Sequence, residues 1–276
     1  MELTNFLSKK PSLSKQSIKT YIQQYNKIIK LIGKPLTDSD EFDILEIFTP
    51  LVGDIKPNTL YAMVNIVILI RESVGYDDKI LIKFKTEIQK IINTAKTVSK
   101  IEKKNDLPTM KEIYDFMNNC TNVKQYIVNY LLIHYGVRNK DLNCVVIKKK
   151  NELDNVLNYF LVMKTKIIWV INDYKTRATY GQKIITINDK KFIKRCQELE
   201  NHSWLLTPKP SKLEDGSLGH TVSRLLYNNL NESDYFKIVL QYINTKPDTT
   251  KWLKHYSASR GTSLNVLINN YDVLTD

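Results

Sequence analysis

The spacing of apolar residues changes character along this chain, and that change limits the available folds more than any single motif. Up to about residue 96 apolar side chains recur only at helical intervals, whereas strand-length apolar runs are confined to the stretch from Tyr159 to Ile187. Ile18, Tyr21, Ile22, Tyr25, Ile28, Ile29 and Ile32 mark a first helix, with Ser12 or Ser14 as N-cap and Gly33-Lys-Pro35 as its stop. Residues 1–10 read as a loose arm, and further helices are expected at about 41–48, 56–74 and 77–96. Proline at 57 suits the opening turn of the third, because an amide hydrogen there has no helical partner anyway. Four helices with short links make a small bundle. A polar, lysine-rich segment then runs from Thr94 to Asp106, so the domains are drawn at 1–96 and 107–276 with 97–106 as a linker.

Beyond the linker, Thr109 with Glu112 three residues later forms a capping box ahead of a helix. A strongly apolar helix follows from Val123 to Tyr135. Residues 159–163, 166–171 and 183–187 read as three short strands of an antiparallel sheet, with a turn at 179–182. From Trp204 to Lys251 the chain reads as an extended piece, a loop and a capped helix. The expected class is mainly α with a small antiparallel β-sheet: a helical N-terminal bundle followed by a mixed α/β domain.

Composition narrows the function. A formal charge of +12 and a pI near 9.3 favour a polyanionic partner, since each cation placed on a phosphate releases condensed counterions. Lysine supplies 35 of the 41 basic residues, which leaves six arginines. The longest apolar run, near Val64–Ile70, is far short of a membrane span, and no leader is evident, so an intracellular protein is expected. Cys120, Cys144 and Cys196 are widely spaced and odd in number, which argues against a disulfide framework. The four histidines show no ligand-like spacing, so neither a metal nor another cofactor is expected. Ser14, Lys15, Ser17 and Lys19 gather at the start of the first helix, and Lys56, Asn58 and Thr59 at the start of the third. Helix N-termini with such side chains suit backbone phosphates, although capping with solvated lysines produces the same pattern.

The chain ends on Ser257-Ala-Ser-Arg-Gly-Thr-Ser, a short amphipathic run, and Tyr271 nine residues after Thr262. Upstream lie Gly136-Val-Arg138-Asn-Lys-Asp-Leu142 and Asp173-Tyr-Lys175-Thr-Arg177-Ala-Thr-Tyr-Gly181. In order and wording these boxes resemble those of the tyrosine recombinases, the phage-type integrases. Leu13-Ser-Lys-Gln-Ser-Ile-Lys-Thr-Tyr21 and Lys56-Pro-Asn-Thr-Leu-Tyr61 are similar to the openings of that family's core-binding domain. Divergent recombinases of large DNA viruses and their mobile elements look most similar, which would put the protein in a viral factory or host nucleus.

The resemblance implies a site-specific recombinase or integrase. Tyr271 would attack a DNA phosphate to give a 3′-phosphotyrosine, Arg138 and Arg224 would hold the phosphate, Lys175 would protonate the leaving oxygen, and Thr262 would donate a hydrogen bond. Lys164 and Lys183 are alternatives to Lys175. Arg224 departs from the family's His-x-x-Arg box, with Thr221 where the histidine belongs and an excess of residues before Thr262, so Lys237 and Lys254 stay open for that role. Arg177 and Arg260 would add phosphate contacts, Arg260 also supplying charge lost at Thr262. The implied partner is double-stranded DNA bound by a tetramer, with a monomer in its absence because just five residues follow Tyr271. Two rivals keep the partner and change the activity: a type IB topoisomerase-like relaxing enzyme, and a catalytically degenerate DNA-binding protein.

Overall fold

The computed structural model describes residues 2–11, 13, 15–104, 107–152, 156–206 and 215–271; the side chains of residues 15, 16, 96, 99–104, 151, 215, 216 and 269–271 lie outside that description. The chain divides into two compact units, Met1–Lys103 and Lys104–Asp276.

The first unit is helical: α1 (Glu2–Ser8), α2 (Lys15–Ile32), α3 (Glu41–Phe48), α4 (Pro57–Glu72) and α5 (Lys79–Lys104). Helix α4 buries Leu60, Met63, Val64, Ile66, Val67, Ile68 and Ile70, residues that point in almost every direction around it, so it forms the centre of the bundle. Ile28 and Ile32 of α2 pack into the same core, while Ile22 stays 40% exposed on the outer side. Two sequence expectations change. Residues 2–8 are a helix rather than a loose arm, because Phe6 enters the core at 1% exposure, worth roughly 1.5–3 kcal/mol. Glu2 anchors the same helix: its carboxylate accepts from Thr37 N (2.7 Å), Thr37 Oγ1 (2.5 Å), Leu36 N (3.2 Å) and Tyr25 Oη (3.0 Å). The lysine-rich stretch from residue 97 is helical as far as Lys104, since lysine and glutamate are good helix formers.

A fully enclosed arginine closes the bundle. Arg71 Nε lies 2.9 Å from both carboxylate oxygens of Asp78, its Nη2 pairs with Oδ1 at 2.9 Å, and its Nη1 donates to Leu36 O (2.5 Å) and to Ser39 O. The guanidinium carbon also lies 4.2 Å from the Tyr76 ring centre.

The second unit is mixed. Helices α6 (Met110–Asn119) and α7 (Val123–Tyr135) lead into β1 (Cys144–Ile147), β2 (Asn158–Val162) and β3 (Ile167–Ile171). The short helix α8 (Arg177–Tyr180) precedes β4 (Lys183–Ile187) and α9 (Lys190–Gln197), followed by α10 (Asp215–Ser223), α11 (Glu232–Asn244), α12 (Thr249–Arg260) and α13 (Leu264–Tyr271). The sheet has four strands in the order β1-β2-β3-β4, with β1 parallel to β2 and the other pairs antiparallel. This corrects the three-stranded antiparallel sheet. Cys144–Ile147 is buried along its whole length, as a parallel strand covered on both faces is, and so carries no alternation to read.

Phe160, Val162, Trp169 and Ile171 face the main core beneath α7 and α9, while Tyr159, Leu161 and Val170 form a smaller cluster with Trp204 on the other face. Helix α7 buries every residue from Tyr126 to Ile133. Its one polar member there, Asn129, donates to Gln125 O and Leu225 O at 2.7 and 2.8 Å and accepts from the Tyr235 hydroxyl, tying α7 to α11.

Candidate active site

At one end of the sheet the starts of β1, β2 and β4 and the end of β3 come together, and there Arg138, Lys183 and the residues before Thr262 meet. Helix α7 ends at Gly136 in the left-handed region (φ 57°), a C-cap that glycine adopts without strain. A Cβ at this position would fall 2.2 Å from Phe236 Cε2 and 2.7 Å from Tyr256 Cδ1, so close packing excludes a side chain as well. The chain then turns through buried Val137 to half-buried Arg138. Arg138 N donates to Asp141 Oδ2 (3.3 Å) and Asp141 N to Arg138 O (3.0 Å), a reciprocal pair that fixes the turn.

Opposite this turn is the C-terminus of α12. The last carbonyls of a helix lack amide partners and carry its negative dipole end, so cations suit them. Here Lys183 Nζ donates to Ser259 O (2.8 Å), Arg138 Nη1 to Arg260 O (2.6 Å) and Thr176 Oγ1 to Gly261 O (2.6 Å). Gly261 (φ 63°) ends the helix, and a Cβ there would lie 2.9 Å from both Thr176 Oγ1 and Tyr174 Cε2. Thr262, 8% exposed, is held by N–H donation to Ser257 O (3.1 Å), while Ser257 Oγ donates to Thr262 O (2.6 Å). Ser263 Oγ then accepts from Val266 N (3.3 Å) to open α13, and Leu267 seats that helix in the core. The backbone of Tyr271 closes α13, about 10 Å along the axis from Leu264 at 1.5 Å per residue.

Lys183 is largely enclosed, its side chain 10% exposed. Its ammonium lies 3.4 Å from Asp141 Oδ2 and 3.8 Å above the Tyr174 ring. Burial pushes the lysine below its ordinary pKa, and Asp141 pulls it part of the way back. Burial likewise raises Asp141, which Lys183 and the Arg138 amide oppose. Asp141 Oδ1 has no hydrogen-bond partner among the described residues. Lys175 occupies a different setting: it is exposed on the β3–β4 connection, ahead of the helical turn α8 that also carries exposed Arg177. The root of this connection is rigid. Asn158 Oδ1 accepts from the amides of Asn172 (2.8 Å) and Asp173 (2.7 Å), its Nδ2 donates to Asp173 O (2.9 Å) and Lys140 O (3.2 Å), and Gln182 Nε2 donates to Asn172 Oδ1 (2.6 Å).

Arg260 is placed otherwise than as a surface contact for phosphate. At 1% exposure it pairs with Glu232 Oε1 through Nη2 (2.7 Å), donates to Gly136 O through Nη1 (2.6 Å) and lies over the Phe236 ring at 4.3 Å. Arg224 is exposed just after α10, a helix whose Gly219 passes beside Asn139, with 3.7 Å between a Cβ built there and Asn139 Nδ2. Lys237 is turned to Asp234 (2.8 Å), and Lys254 is exposed on α12. In the first unit Lys19, Lys56 and Asn58 are exposed, and Ser17 and Thr59 are half-buried, at or near the starts of α2 and α4. The side chains of Tyr271 and Lys15 lie outside the described residues. Asp141 and Glu232 escaped the sequence reading; the signal for Asp141 was its place three residues after Arg138, while nothing local marked Glu232.

Among the described residues no group of three or more histidines, cysteines and acids could hold a metal ion, and no helix is long and apolar enough to cross a membrane. All three cysteines are buried free thiols. No protein-family model and no curated protein matches the chain. Among solved structures, the crystal structure of XerA recombinase is similar to it at 11% sequence identity and a TM-score of 0.37, covering 100% of this chain and 94% of that one.

Proposed function

We propose that this protein cuts and rejoins DNA strands through a phosphotyrosine, with Tyr271 as nucleophile. The observation that supports this is the gathering of Arg138, Lys183 and Thr262 at the end of α12, joined to Tyr271 by the single short helix α13. The tyrosine hydroxyl releases its proton to water as its oxygen forms a bond to phosphorus, the bond from phosphorus to the 5′ oxygen breaks, and that oxygen leaves as a hydroxyl on receiving a proton from a lysine. Arg138 offers a fork that fits two phosphate oxygens and keeps its charge at any working pH. Lys183 suits the proton donor better than Lys175, because it stands in the cluster with Arg138 and its burial favours release of the proton. Thr262 adds a neutral donor, and Arg224, beyond α10, is the second phosphate contact in this reading. The starts of α2 and α4, with Lys15, Ser17, Lys19, Lys56, Asn58 and Thr59, hold the duplex backbone, and assembly into a tetramer accompanies DNA binding.

The test is a covalent adduct. Protein incubated with nicked or supercoiled A/T-rich DNA and quenched with detergent yields a protein–DNA species that is lost in Tyr271→Phe and Arg138→Ala. Lys183→Ala slows adduct formation by roughly 10²–10⁴, the usual contribution of a positioned acid, while Lys175→Ala leaves it nearly unchanged. Tight duplex binding with no adduct on any of these substrates would overturn the enzymatic reading in favour of a protein that only binds DNA.

A further inference from the structure

Two arginines distant in sequence exchange backbone contacts. Arg138 Nη1 donates to the carbonyl of Arg260 (2.6 Å), and Arg260 Nη1 donates to the carbonyl of Gly136 (2.6 Å), two residues before Arg138. Each side chain thus holds the main chain that carries the other. Arg260 is itself fixed from a third element, α11, by Glu232 at 2.7 Å, and from below by the Phe236 ring. We infer that Arg260 and Glu232 are positioning residues: together they set the direction of the Arg138 guanidinium and lock it to the Gly261–Thr262 junction that leads into α13.

The chemistry of the residues explains the choice of arginine. A planar guanidinium reaches a carboxylate and a carbonyl on different elements while its face lies on the Phe236 ring, a combination that a compact ammonium does not reproduce. The contact is enclosed, so loss of either member leaves a buried charge or carbonyl without compensation. Around Arg260 solvent is excluded as a competitor, and the geometry of Arg138 follows that of its neighbour. The inference rests on the reading of Arg138 as the phosphate contact, and the experiment separates the two.

Six arginines in the whole chain make nitrogen-15 spectra of the side-chain Nε–H groups tractable, and Arg138→Lys identifies the Arg138 signal. Signals are followed in the full-length protein for wild type, Glu232→Gln, Arg260→Lys and Arg260→Met, first alone and then with inorganic phosphate added, each with a thermal melt. Arg260→Lys is expected to keep more of the melting temperature than Arg260→Met. In both variants, and in Glu232→Gln, the Arg138 signal is expected to move toward that of an exposed arginine, and phosphate affinity at Arg138 to fall about tenfold or more. A purely structural role predicts instead that the Arg138 signal tracks the melting temperature. An unchanged Arg138 signal in folded Glu232→Gln and Arg260→Lys proteins would overturn the inference. A wild-type Arg138 signal that moves in these variants yet ignores phosphate would support the clamp and sink the phosphate reading alone.

Discussion

Removing Asp78 should destabilise the first unit while sparing the second. The carboxylate is 4% exposed and takes two contacts of 2.9 Å from Arg71 Nε and one of 2.9 Å from Nη2, so Asp78→Ala leaves a guanidinium in the interior without its counter-charge. Breaking a buried pair in this way costs about 3–5 kcal/mol. Replacing both partners, as in Arg71→Met with Asp78→Leu, removes the stranded charge and leaves the carbonyls of Leu36 and Ser39 short of a donor, at roughly 1–3 kcal/mol each. The double variant should therefore lose less than the sum of the singles by 2 kcal/mol or more. Urea unfolding resolves the two units, because Trp169, Trp204 and Trp252 all lie in the second and tryptophan fluorescence reports on it alone, while far-ultraviolet circular dichroism reports on both. With a slope of about 2 kcal/mol per molar urea, Asp78→Ala lowers the first unit's midpoint by roughly 1.5–2.5 M and leaves the fluorescence midpoint in place. A loss under 1 kcal/mol, or an equal shift in fluorescence, would refute the reasoning.

Two further outcomes follow from single residues. Gly136→Ala must place a methyl group 2.2 Å from the Phe236 ring at φ 57°, so about 2–5 kcal/mol of left-handed strain and overpacking should appear as a lower fluorescence midpoint. Glu2 ties pH to the first unit: burial acts to raise its carboxyl, yet the hydrogen bonds from Thr37, Tyr25 and Leu36 outweigh it and hold the group below its ordinary 4.5. A depressed folded-state pKa gives stability that is fully present above the unfolded value and is lost as pH falls through the folded one. Circular-dichroism melts of wild type should thus weaken below about pH 4.5 more steeply than those of Glu2→Gln, and equal slopes would contradict the role given to Glu2.

Where local order alone determined an element, the sequence was sufficient. Thr109 and Glu112 form the expected capping box, with Thr109 N donating to Glu112 Oε2 at 2.8 Å and Glu112 N to Thr109 Oγ1 at 3.3 Å, because the motif needs nothing beyond four residues. The elements that escaped are those made by distant contacts. Helix α1 is short and weakly apolar, and its stability comes from the core around Phe6 and from amides 34 and 35 residues away that Glu2 accepts. Strand β1 is four residues long beside three lysines, and residues 202–205 extend its pairing through Val146 N to Ser203 O at 2.8 Å, which no local pattern announces.

The same division runs through the site. Arg138 was singled out by the resemblance carried by residues 136–142, while Lys183 stood there only as an alternative to Lys175, because a lysine that opens a strand ordinarily faces water. Its enclosure comes from Ser259 and Gly261, which fold over it from 76 and 78 positions further along the chain. Arg260 misleads for the converse reason: serine, glycine and threonine around it suggest an open loop, and the acid that takes it inside belongs to α11. This burial has a chemical consequence for any phosphate that enters. The carbonyls of Ser259 and Arg260 already occupy donors of Lys183 and Arg138. A guanidinium has five donors in one plane and can keep its carbonyl while presenting an edge to two phosphate oxygens. An ammonium has three, and in Lys183 the carbonyl and Asp141 draw on them first. On the proposed reading, Arg138 grips a phosphate without releasing α12, and Lys183, which burial rather than these contacts inclines to release its proton, gives it to an oxygen beside it.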